Sequence, residues 1–160
     1  MTFGHPLCHP QLGHPCSWFD APERIHYVFF LLMELELSPV PLYQGEPSFF
    51  AVGHWLEQRG WMLHHLPNLN RRMFKPLGQD SAPYAGLRHI FQVDAVFLPQ
   101  VDRWPGFSAE RLLALAFLAH ALYGSFDVAA LALEVHDAKP GVLPRLPAYR
   151  RYLEEAGLDA

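Results

Sequence analysis

The stretch from Tyr27 to Leu66, YVFFLLMELELSPVPLYQGEPSFFAVGHWLEQRGWMLHHL, constrains the fold more than any other part of the chain. From Tyr27 to Leu37 it is apolar except for Glu34 and Glu36, the pattern of a strand covered on both faces in a parallel sheet. Pro47 suits a first helical turn, and Phe49, Val52 and Leu56 recur at helical spacing, which turns His54, Glu57 and Gln58 to water. Gly60 fits just past the end of that helix, and Trp61 to Leu66 reads as the next strand. A strand, helix, strand unit of this kind predicts an α/β chain with a right-handed crossover.

Within the first strand, Glu34 and Glu36 are two residues apart and share a face, opposite Met33, Leu35 and Leu37. Ligands of open α/β sheets bind beyond the carboxyl ends of strands, so Glu36, Ser38 and Tyr43 fall at the rim of such a cleft. A solvated edge glutamate and a packed tyrosine are the plainer alternative. His64 and His65 are adjacent in a strand and point to opposite faces, which suits packing rather than one shared site.

The run ELSPVPLYQGEPSF at Glu36 to Phe49 resembles the FkbM-type S-adenosylmethionine-dependent methyltransferases, whose last third carries E-x-S-x-V-P-L-Y-x-G-x-P-x-F. The likeness continues through WLEQRGWMLHHL, FKPL at Phe74 to Leu77, VDAVFL at Val93 to Leu98 and LLALAFLAHALYGSFDVAALALEVHD at Leu112 to Asp137. Pro39 departs from the larger apolar residue often found at its place in that family. The resemblance implies that the strand before P-L-Y is the fifth of a seven-stranded Rossmann-like sheet, and that the last strand is reversed. It implies S-adenosylmethionine as methyl donor, with Glu36 and Tyr43 on the acceptor side as candidate catalytic residues. The donor would be held by a Gly-rich turn and an acidic residue upstream, and no G-x-G turn after an apolar strand occurs in this sequence.

The remaining segments extend this reading. Pro67 to Ala85 is too long for a tight hairpin and reads as an excursion, which the resemblance associates with the acceptor substrate. Leu87 to Pro99 reads as the last strand, antiparallel to Trp61–Leu66, with Asp94 in a ladder position that suits a structural role better than that of a base. Ser108 can cap a helix running to Leu122 and stopped by Gly124. A second helix begins at Ser125 or Asp127 and reaches Asp137, and a third spans Pro147 to Ala156 before Gly157. So apolar a helical hairpin must bury against the sheet or a partner chain.

Residues 1–24 differ from all of this, with Pro, His and Gly in a GHP, CHP, GHP repeat and no periodicity. The shift near Arg24 suggests a truncated gene, a misassigned start or an upstream region read in another frame, with truncation preferred. His5, Cys8, His9, His14 and Cys16 are ligands that zinc accepts, yet H-x2-C-H-x4-H-x-C matches no common finger or ribbon, and an irregular tail is expected instead. A Cys8–Cys16 disulfide does not suit a reducing cytoplasm.

The expected organisation is an irregular tail at 1–24, the carboxyl-terminal half of a methyltransferase-like domain at 25–105 and a helical extension at 106–160. A net charge of −4 with scattered Lys and Arg speaks against a nucleic-acid binder, and the Arg71, Arg72, Lys75 group reads as a surface loop. No apolar run reaches the roughly 18 to 20 residues of a membrane span, and no basic start with an apolar stretch marks a secretory signal, so the cytoplasm is expected. Three functions stay open: methyl transfer to a small-molecule, glycan or peptide acceptor; a non-catalytic remnant or accessory module that docks a partner chain or itself; and a small zinc-binding protein.

Overall fold

A computed structural model of the chain describes residues 31–75, 77 and 88–158. The candidate zinc ligands His5 to Cys16, and the start of the expected first strand, lie outside the described residues. The fold is mixed α/β: a three-stranded antiparallel sheet with helices on both faces. Strand β1 is Met33–Leu37, helix α1 is Phe49–Glu57, β2 is Trp61–Arg72 and β3 is His89–Pro99. A short 3-10 turn at Val101–Gly106 leads to α2 at Ala109–Tyr123, α3 at Phe126–Asp137 and α4 at Leu146–Ala156.

The strand order is β1-β3-β2, and β3 runs antiparallel to both neighbours. It follows that β1 and β2 are parallel to each other, joined through α1, with the reversed strand between them. An all-parallel ladder around the first strand is therefore corrected. Along β1, Met33, Leu35 and Leu37 turn inward while Glu34 and Glu36 are exposed, because a carboxylate cannot be buried without a partner.

The face carrying Met33, Leu35 and Leu37 packs under α1 with Leu56, Trp61, Val93, Ala95 and Phe97. Ser48, rather than Pro47, begins α1: its side chain accepts from the Ala51 N–H, and Pro47 stands one residue before the cap. His54, Glu57 and Gln58 face water as expected.

The other face is covered by the α2–α3 hairpin, whose Leu112, Leu115, Ala119, Ala129 and Ala132 pack with Leu98 and Trp104. This settles where the apolar hairpin buries itself: on the sheet. Ser108 caps α2 by accepting from the Arg111 N–H at 3.2 Å, and Gly124 ends it at φ 61°, a left-handed turn that a glycine adopts without strain. Asp137, at the end of α3, accepts from the N–H groups of Arg145 and Leu146 and so caps α4 from outside. Burial works against its charge, but these bonds and the one with His136 hold its carboxyl below the usual carboxylate range.

Strand β2 runs six residues beyond the expected Leu66, to Arg72. Pro67 sits inside a register shift between His65 and Asn68, where no ladder hydrogen bond is asked of it. Among the described residues no helix is long and apolar enough to cross a membrane.

Trp104 pins the turn between sheet and hairpin: it is fully buried, and its indole N–H donates to the Pro99 carbonyl at 2.9 Å. Trp104→Phe should cost about 1–3 kcal/mol, because the buried carbonyl loses its donor. Trp104→Ala should cost about 3–5 kcal/mol through the cavity it opens. Urea unfolding of the two variants checks both values, and equal midpoints for wild type and Trp104→Phe would contradict the role of the bond.

Candidate functional site

The carboxyl end of β1 brings the candidate residues onto a polar part of the sheet. Glu36 stands opposite Asp94 in the β1–β3 register, and Asn68 stands opposite Asp94 on the other side. Cross-strand partners share a face, so two carboxylates lie side by side. Each is held by an amide rather than a cation. Gln92 donates to Glu36 Oε1 at 2.6 Å, and Asn68 donates to Asp94 Oδ2 at 2.8 Å. Asp94 thus takes the ladder position expected of it, beside the candidate glutamate.

Two further bonds tie the α2–α3 corner to the same face. The Tyr123 hydroxyl donates to Glu34 Oε2 at 2.6 Å, and His64 Nε2 bonds to Ser125 Oγ at 2.7 Å. Ser125 opens α3 without capping it, because its hydroxyl is committed to the histidine. Burial is the main influence lowering the His64 pKa, against the opposing pull of Asp127. Burial, and then Glu34 beside it, pushes Tyr123 up to about 12. His64 thus has a packing role, and His65 is exposed.

Ser38 follows β1 and is fully buried, with a hydroxyl that has no hydrogen-bond partner among the described residues. Its carbonyl accepts from the Phe49 N–H at 2.8 Å, which closes the loop 39–48 onto the start of α1. Glu46 shapes that loop: its carboxylate accepts from the N–H groups of Leu42 and Tyr43 at 2.7 and 3.0 Å, with Gly45 at φ 83° completing the turn. Tyr43 is consequently 77% exposed and projects from the loop, with no side-chain bond to Glu36.

The site residues that sequence reasoning missed are Gln92, Asn68, Tyr123 and Glu46. Only Glu46 carried a local signal, an acceptor three residues after Tyr43 in a Gly-containing turn. The others meet the site through strand order and helix docking.

The β1-to-α1 connection is built on Pro39, Pro41 and Pro47, and its one glycine, Gly45, has open space around it rather than a cradled group. No cluster of three or more metal-ligating side chains occurs among the described residues. No known protein family, curated protein or solved structure matches the chain.

The raised Tyr123 pKa has a sign that can be tested. A phenol held neutral by the fold adds stability below its ordinary value near 10, and that contribution disappears as pH rises toward about 12. Near-ultraviolet titration should show a last phenolate step that is missing in Tyr123→Phe. Superimposable alkaline titrations of the two proteins would contradict the Tyr123–Glu34 contact.

Proposed function

We propose that this chain is the acceptor-side half of an FkbM-type methyltransferase and that its donor-binding half is supplied by residues outside those described or by another chain. The observation that carries this reading is the connectivity β1–α1–β2 with the reversed β3 inserted between two mutually parallel strands. It supports the partial Rossmann-like sheet that the resemblance implies, with a reversed last strand and a loop carrying P-L-Y just beyond the carboxyl end of β1.

In this reading the exposed Tyr43 and its Glu46-fixed loop hold the acceptor, a small molecule, glycan or peptide. Glu36 receives the proton that an acceptor hydroxyl or amine gives up. Gln92 leaves the second Glu36 oxygen free for that contact. S-adenosylmethionine is the donor by resemblance, and no residue described here is assigned to it. The compartment that goes with this chemistry is the cytoplasm.

A non-catalytic accessory role is the second reading, favoured by large apolar side chains left exposed on α2. The exposed Phe117 and Leu122 on the outer side of α2 would then serve a partner chain or a second copy.

Calorimetric titration with S-adenosylhomocysteine tests the division between halves. The chain alone should give no saturable heat, and fusion behind the donor-binding half of an FkbM-type enzyme should restore one-site binding and methyl transfer. In that fusion Glu36→Gln should lower kcat by about 10²–10⁴-fold. The same change should leave stability equal or higher by about 0.2–1 kcal/mol, because it relieves the like charge of Asp94. One-site binding by the chain alone would contradict the half-site reading. A folded fusion that binds donor but transfers nothing would favour the accessory role.

A further inference from the structure

Three arginines converge at the opposite end of the sheet from Glu36. Arg59 follows α1, Arg103 lies in the 3-10 turn and Arg111 lies in the first turn of α2. Together with Trp61, Pro99 and Phe107 they line a cleft of about 310 Å³, within the size range of small-ligand sites.

None of the three guanidinium groups makes an ion pair with a carboxylate among the described residues. Arg111 lies 3.8 Å above the Phe107 ring, and Arg59 lies 3.8 Å above the Trp55 ring. Arg103 donates to the Arg59 carbonyl at 3.0 Å and rests against Gly60, where any side chain would collide with its guanidinium. Glu110, the nearest acid in sequence to Arg111, is held low in pKa by its own backbone hydrogen bond and by Ser108, so its carboxylate is engaged at the helix start. Arg111 Nε is buried with no hydrogen-bond partner among the described residues, and burial lowers the pKa of the group.

Uncompensated positive charge, a buried donor without an acceptor and aromatic supports that fix guanidinium orientation are the features of an oxyanion site. We propose that this cleft binds a phosphoryl group carried on a small apolar or flat body, with Arg103 and Arg111 as its principal donors and Trp61, Pro99 and Phe107 as the wall for that body. A dianion matches three cations that have no ion pair among the described residues better than a carboxylate does, and parallel guanidinium N–H groups match phosphate oxygens in pairs. The site is separate from the acidic face around Glu36 and does not depend on the methyltransferase reading.

The test is titration of the full chain with phenyl phosphate at constant ionic strength, followed through the arginine Nε–H resonances by nuclear magnetic resonance. A saturable one-site shift of the Arg111 Nε–H signal is expected. Arg103→Gln and Arg111→Met should each raise Kd at least tenfold, and Arg103→Gln, at an exposed side chain, should leave the unfolding midpoint in place. The proposal is overturned if chloride at equal ionic strength reproduces the shift, if both variants bind as wild type does, or if benzoate binds as tightly as phenyl phosphate.

Discussion

The double pairing of β3 is the interaction on which the rest of the structure depends. Val93, Ala95, Val96, Phe97 and Leu98 are buried, so the strand contributes to both apolar layers at once. Its ladder to β1 places Glu36 beside Asp94, and its ladder to β2 places Asn68 beside the same aspartate. From its end, Pro99 accepts from Trp104 and turns the chain toward the α2–α3 hairpin. Disturbing β3 would therefore move the candidate site, the helical layer and the arginine cleft together.

Charge is distributed along the sheet axis as well as between its faces. Glu34, Glu36 and Asp94 lie on one face along β1 and the middle of β3, with amide and phenol donors in place of cations. Arg59, Arg103 and Arg111 mark the end where β2 begins. A chain with a net charge of −4 thus presents one locally basic cleft, which matters because local rather than overall charge decides where a small anion settles.

What was legible in the sequence was local. Ser108, Gly124 and Gly157 mark helix ends by their own side-chain and backbone preferences, and the structure uses them at those places. The alternation at Glu34 and Glu36 was visible too, although the apolar run around it suggested cover on both faces. What was hidden is non-local. That β3 lies between β1 and β2 depends on strand order, which no spacing records, and Tyr123, Gln92 and Asn68 reach the acidic face only through that order. Strand β2 continues past Pro67, into the segment read as an excursion, because a bulge there removes the need for the N–H that proline lacks. The Glu36 and Tyr43 pair shows the same limit, because Glu36 stays in the ladder while Glu46 holds the Tyr43 backbone in a separate turn.

The most direct measurement is the set of cross-strand proton contacts of Val93 to Phe97 by nuclear magnetic resonance. The account predicts contacts from this strand to both neighbours, Asp94 to Glu36 on one side and to Asn68 on the other, with none between β1 and β2. Direct contacts between β1 and β2, or a β3 that touches one strand alone, would contradict it.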